Sequence, residues 1–242
     1  MSGPRAFEVA LPGARAAFST RLGGVSAGPY ESLNLGILTD DDQELVAENR
    51  RRVLAAAGVE AVAFGHQVHG AEVREWEGPP PAGHAAARDA APGAALDRVD
   101  GHATETPGLG LLVLAADCLP LALATPERVA MLHCGWRGLA GGIVERALAG
   151  FAAAPAAALG PCIGQCCYEV GPEVLGAFAD LDGVADGRML SLRAVAEAEL
   201  RAGGVSAAEH VDLCTSCRPD LFFSHRRDDG VTGRQCGIVV RA

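Results

Sequence analysis

Three polar residues interrupt apolar, strand-like segments of this chain: His69 in FGHQVHGAEV, Cys118 in LLVLAADCLPLALA and His133 in VAMLHCGWRG. Imidazole nitrogen and thiolate sulfur are favoured zinc ligands, and three protein ligands with a fourth position open describe a catalytic site better than a structural one. The bland alternative is that each is a buried, hydrogen-bonded core residue, the commoner fate of one His or Cys in a strand. Three of them beside Gly-rich turns make the two readings equal competitors. Neighbours in a strand point to opposite faces. Alternation therefore predicts that only one of Asp117 and Cys118, and one of His133 and Cys134, faces a site.

The elements that must position them follow from patterning. An edge strand is expected from Phe7 to about Ala17, followed by a loop with turn signals at Gly23-Gly24 and Gly28-Pro29. A helix is expected from about Asp41 to Ala57, with Asp41, Asp42 and Glu44 in its first turn and Arg50, Arg51 and Arg52 later, the order the helix dipole favours. A strand carrying His66 and His69 comes next, then a Pro-, Ala- and Gly-rich surface excursion from Gly78 to Pro92. LGLLVLAADCLPLALA and ERVAMLHCGW read as strands covered on both faces, and GLAGGIVERALAGFAA as a helix. ALGPCIG is a short strand and loop, CYEVGPEVLGAFA is a helix, and two more helical stretches follow. The last, SLRAVAEAELRAGG, is capped at Gly203-Gly204, and QCGIVVRA closes the chain as a strand. This mixture points to an α+β fold with large central sheets, organised as one domain over residues 1–242.

Composition removes several function classes. The 242 residues, 49% of them hydrophobic, suffice for a sizeable core. A formal charge of -10 argues against a nucleic-acid partner. No apolar run is long enough to span a bilayer, and MSGPRAFEVALPG lacks the pattern of a secretory signal. A cytoplasmic protein with a small-molecule substrate and no membrane partner is expected. Every basic residue is Arg. Lysine-dependent chemistries, including Gly-Lys-Ser/Thr phosphate loops and Schiff bases, are thereby excluded, and anions must be held by Arg or backbone N–H. The eight cysteines, all from Cys118 onward, read as thiols, ligands or nucleophiles before disulfides. Cys214 and Cys217 could join Cys162 and Cys166 in a structural zinc site, although buried inert thiols are the simpler reading.

The strings STRLGGVSAGPYESLNLG, HQVHGAEV, LAADCLPLALA, LHCGWRGLAGGIVERAL, LGPCIGQCCYEVG and DLCTSCRPDLFFSHRRDDGVTGR resemble, in order, the motif blocks of the YfiH family. This is also called the laccase-domain or multicopper polyphenol oxidoreductase family, and its bacterial members are often labelled purine nucleoside phosphorylase. The resemblance covers nearly the whole chain. It implies an αββα sandwich related to the cytotoxic necrotizing factor fold, and zinc held by His69, Cys118 and His133. It further implies phosphorolysis of adenosine, inosine, guanosine and methylthioadenosine, with adenosine deamination. Asn34, Arg50, Arg137 and Arg226 become candidates for holding nucleoside or phosphate. Two departures stand out: Cys134, where the family usually has a small residue such as Ala, and His102, where it has an apolar one.

Cys118, His69, His133 and Asp117 are the catalytic candidates; for deamination, zinc with an open position can lower the pKa of bound water toward neutrality. For phosphorolysis, Arg50, Arg137 or Arg226 would hold phosphate, with Asp117 or His66 as general acid. The runner-up is a cysteine-type hydrolase, with Cys118 as nucleophile and His133 as base, acting in peptidoglycan precursor editing. A copper polyphenol oxidoreductase (laccase) ranks below both, because seven His with no His-x-His pair poorly suit a multicopper centre. A non-catalytic zinc-stabilised binding module is a further class. Oligomeric state is not legible.

Overall fold

The computed structural model describes residues 3–80 and 97–242, so most of the expected Gly78–Pro92 excursion lies outside the described residues. The elements in chain order are β1 (Ala6–Leu11), β2 (Ala14–Ser19), α1 (Gln43–Ala56), β3 (Ala61–Ala63), β4 (Val73–Trp76), β5 (Gly101–Thr104), β6 (Leu109–Ala115), β7 (Leu119–Ala124) and β8 (Val129–Cys134). There follow α2 (Trp136–Ala140), α3 (Ile143–Leu148), β9 (Ala156–Leu159), α4 (Pro172–Gly176), β10 (Ala185–Asp186), β11 (Met189–Leu190), α5 (Leu192–Ala202), β12 (Ala208–His210) and β13 (Gln235–Arg241).

Two mixed sheets result, one ordered β1-β2-β13-β6-β3 and the other β12-β9-β7-β8-β5-β4. Side-chain alternation sorts their strands into layers. On β7, Leu119, Leu121 and Leu123 pack with α2, α3 and α5, as do Ala130, Leu132 and Cys134 of β8. The alternate residues, Ala122, Ala124, Val129 and Met131, share a core with Phe18, Leu111, Val113 and Val239 of the other sheet. A Cβ on Gly237 of β13 would lie 2.8 Å from Pro120 and 3.2 Å from the Met131 sulfur, so the sheets touch there through a glycine. Val53 and Leu54 of α1 meet Val62 and Leu112 on the outer face of the first sheet. The layers are helix, sheet, sheet, helices, the α+β arrangement expected.

Four expected elements differ, each for a local reason. The first strand is a hairpin that turns at Gly13, where φ is +63°. The apolar run around Cys118 is not one strand. It breaks at Asp117, whose φ is +97°, and β6 and β7 belong to different sheets. The helix after Trp136 breaks at Gly142 (φ +79°) into α2 and α3. His66 to Gly70 is loop instead of strand, because the amides of Val68, His69 and Gly70 find a side chain in place of a ladder partner. α1 begins behind Asp42, whose carboxylate accepts from the Glu44 amide as an N-cap. A further difference lies between α4 and α5, where the small hairpin β10–β11 stands in place of the third helical stretch expected.

Candidate metal centre and cleft

Two of the four connections that carry the chain between the sheets hold the trio's loop ligands: the loop from β3 to β4 holds His69, and the bend from β6 to β7 holds Cys118. His133 stands near the end of β8, in register with Pro120 of β7. One ligand atom from each of His69, Cys118 and His133 lies within 4.8 Å of the others. The imidazoles meet edge to face with centroids 5.0 Å apart. A Cβ on Gly135 would come within 3.0 Å of the His69 ring and 3.1 Å of the Cys118 sulfur, so the Cys-Gly step after His133 keeps this space clear. Two imidazoles and a thiolate around a cradle that only glycine leaves clear fit a metal ion.

The residue that organises the trio escaped sequence reasoning. Asp100 is fully buried, and its Oδ1 accepts from His133 Nδ1 (2.8 Å) and the His69 amide (2.9 Å). Its Oδ2 accepts from the amides of Val68 (3.0 Å) and Gly70 (2.8 Å). One carboxylate thus fixes the His133 tautomer, leaving Nε2 for a metal, and wraps the His69 loop around itself. Burial raises its pKa, but the His133 bond and charge and the amide bonds outweigh it and leave the carboxyl below its ordinary range. His69 is held at φ +58°, a conformation that costs a non-glycine residue free energy and persists only because its surroundings impose it. Gln67 completes the loop: its side-chain amide donates to Leu114 O and accepts from Leu114 N, both at 2.7 Å, extending the ladder of β6 by proxy. The only sequence trace of Asp100 is its place ahead of Gly101.

Burial pushes the Cys118 thiol up, yet the charges and hydrogen bonds of His133 and His69 more than reverse this, drawing it down to about 6. Burial likewise opposes protonation of His133, but Cys118 and Asp100 raise it to about 9. Without metal, the pair is a thiolate facing an imidazolium near neutrality. Cys134 lies on the opposite face of β8, fully buried among the helices, with its thiol pushed far up by burial. His102 is also remote: it accepts from Trp76 Nε1 at 3.1 Å, and burial lowers it to about 3, so it is neutral.

The trio opens into a cleft of about 420 Å³, a size that suits a small organic ligand. Arg50, Arg137 and Arg226 line it, together with Arg234, which the sequence reading passed over. Arg50 is buried, with its Nε donating to Leu35 O (3.0 Å), its plane 4.4 Å from the Phe64 ring centre and its Nη2 without a hydrogen-bond partner. Burial lowers its pKa to about 10, still well charged. Trp136, Tyr168, His66 and His225 supply further wall.

Asp117 lines the cleft as Cys118 does, so alternation misplaces it: the pair sits in a bend where strand periodicity does not apply. Both Asp117 oxygens are engaged, Oδ1 by Thr215 Oγ1 (2.6 Å) and Oδ2 by the Arg226 amide (2.7 Å). Asn34 is fully buried away from the cleft wall; its Nδ2 donates to Thr39 and Asp41, and its Oδ1 accepts from the amides of Gly36 and Arg234. It reaches the cleft through three residues of its lining, the Gly36 and Arg234 amides and the Thr39 hydroxyl. A second sulfur group gathers Cys166, Cys167, Cys214 and Cys217, so Cys167 takes the place expected for Cys162, whose buried thiol is raised to about 12. Among the described residues, no helix is long and apolar enough to cross a membrane.

Residues 15–242 match the family described as multi-copper polyphenol oxidoreductase laccase, and the chain belongs to that family. It is 36% identical over 241 residues to "Purine nucleoside phosphorylase YfiH" of Escherichia coli (strain K12), covering 94% of this chain and 93% of the relative. It is 39% identical over 261 residues to "Purine nucleoside phosphorylase" of Deinococcus radiodurans, covering 97% of this chain and 91% of that one. The crystal structure of YlmD from Geobacillus stearothermophilus superposes with a TM-score of 0.86 at 34% identity, over 95% of this chain and 92% of that chain.

Proposed function

We propose that this chain is a zinc-dependent purine nucleoside phosphorylase, acting on adenosine, inosine, guanosine and methylthioadenosine, with adenosine deaminase activity at the same centre. The observation that carries the reading is one cleft joining the His69, Cys118, His133 trio to four arginines, of which Arg50 keeps an unpartnered Nη2. The relatives named purine nucleoside phosphorylase support it. Soft sulfur with imidazole favours zinc, and no His-rich copper cluster is found among the described residues.

In phosphorolysis a phosphate oxygen bonds to C1′ of the ribose, the C1′–N9 bond breaks, and its electron pair leaves with the purine, which takes up a proton. Arg50, which lines the same cleft as Arg234, holds the phosphate by charge-assisted bonds where lysine is absent. Trp136 and Tyr168 offer aromatic faces to the base. Tyr168 sits 5.2 Å below the Arg226 guanidinium, which orients both groups. Asp117, with both oxygens occupied, positions the Arg226 loop, and His66, the other general-acid candidate, lines the cleft where it can protonate the departing base. Zinc at the trio would supply a Lewis acid with an open position for substrate or water.

Metal analysis of the purified protein, paired with chromatography of adenosine incubated with and without phosphate, tests this. Phosphate-dependent adenine release supports phosphorolysis, and inosine formed without phosphate supports deamination. If Cys118→Ala keeps its zinc and full turnover, the site assignment fails. A cysteine hydrolase is the second reading, favoured by the lowered Cys118 thiol beside His133. Silence on nucleosides with hydrolysis of a UDP-linked muramyl amino acid would select it.

A further inference from the structure

Cys166 and Cys167 lie in the turn after β9, and Cys214 and Cys217 in the turn after β12. The two turns are far apart in sequence and joined in space: Cys162 and Cys214 form an isolated parallel bridge, and the Thr215 amide donates to Cys162 O at 3.0 Å. The four sulfurs all lie within 4.8 Å of one another. Three separations are given by the side chains directly: 3.6 Å between Cys166 and Cys217, 3.4 Å between Cys167 and Cys217, and 3.8 Å between Cys166 and Cys167. A zinc ion with four thiolates at about 2.3 Å has sulfurs about 3.8 Å apart along each tetrahedral edge. All four cysteines are free, and two of them are exposed. We propose that Cys166, Cys167, Cys214 and Cys217 form a second, structural zinc site, a closed tetrathiolate sharing no residue with the His69, Cys118, His133 trio.

Further features fit a thiolate cage. The Gly164 amide donates to the Cys214 sulfur at 3.1 Å, the kind of bond that steadies a metal-bound thiolate. A Cβ at Gly164 would crowd the sulfurs of Cys166 (3.2 Å) and Cys214 (3.4 Å), so glycine is what lets the two turns close on each other. Arg227 braces the second turn by donating to the Thr215 and Ser216 carbonyls at 2.9 and 3.4 Å. Binding exchanges four thiol protons for one divalent cation and releases the protons to solvent, so no oxidant is required. The site clamps the cleft wall: Ile163 and Tyr168 flank the first turn, and Thr215 in the second holds Asp117. Zinc here would fix the wall without touching substrate.

The test is metal content per chain of protein purified under reducing conditions. Wild type should bind two zinc ions, Cys217→Ser and Cys118→Ala one each, and the double variant none. In Cys118→Ala, cobalt exchanged into the remaining site should give tetrahedral d–d bands and the charge-transfer absorption of four thiolates. Unchanged zinc in Cys217→Ser relative to wild type, iron in place of zinc, or disulfides among these four cysteines by mass spectrometry would each overturn the proposal. Should Cys217→Ser fail to fold, hydrogen exchange of Cys118→Ala decides. Chelation should deprotect residues 162–170 and 213–218, and unchanged protection there refutes the site.

Discussion

Asp100→Asn exchanges one atom of a fully buried side chain and isolates the logic of the centre. Each carboxylate oxygen accepts two N–H bonds, Oδ1 from His133 and His69 and Oδ2 from Val68 and Gly70. In either amide orientation the new NH₂ confronts two donors, so two bonds to a charged acceptor are lost. At about 1.5–3 kcal/mol each, the gross cost is about 3–6 kcal/mol. Burying a neutral amide in place of a carboxylate offsets part of it, and a net loss of about 3 kcal/mol is expected. If the NH₂ faces His133, the ring must accept at Nδ1 and carry its proton on Nε2, the nitrogen a metal needs. Metal affinity should therefore fall about 10–100-fold, the usual effect of losing an outer-shell partner. Urea unfolding of the metal-free protein measures the first quantity and chelator competition the second. A change in stability under about 0.5 kcal/mol together with unchanged affinity would show that Asp100 does not organise this centre.

Three further outcomes are expected. In metal-free protein, Cys118 is a thiol below and a thiolate above about 6, because His133 and His69 outweigh its burial. Its alkylation rate should therefore rise with a midpoint near 6, and a midpoint near the ordinary thiol value of 9.0 would contradict the pairing. Burial, aided by Glu145, raises Glu199 on α5 from 4.5 to about 7, so the folded chain binds this proton more tightly than the unfolded one. Its contribution is full below 4.5 and lost as pH rises through about 7, so Glu199→Gln should flatten that part of the stability profile and be the more stable form at pH 8, read by urea midpoints. Arg50→Met should raise the KM for phosphate at least about tenfold, the equivalent of one charge-assisted bond, with little change in the KM for nucleoside. Equal effects on both would remove Arg50 from the phosphate subsite.

Much of the architecture was legible because burial on both faces leaves a strong mark. β7 and β8 are fully buried along their length, and their unbroken apolar strings announce strands covered on both sides. The acidic start of α1 and the Gly203-Gly204 end of α5 were equally plain. The two sheet-switching connections that carry His69 and Cys118 were not. Hydrophobicity continues straight through Ala116, while the chain turns there because Asp117 adopts positive φ under bonds from Thr215 and Arg226, about a hundred residues away in sequence.

The same division holds for the site. His69, Cys118 and His133 announced themselves by type, since polar ligands in apolar runs need a reason to be there. The absence of lysine by itself left arginine and backbone N–H as the groups available to hold an anion. Only the tertiary structure decided that the three converge, that Asp100 bonds two of them, that Asn34 is buried behind the cleft wall and that Cys167 replaces Cys162 among the four clustered sulfurs. The physical reason is shared: these relations rest on hydrogen bonds and sulfur contacts between loops distant in sequence. Local periodicity records which face of an element is buried and carries no trace of which loop will meet which.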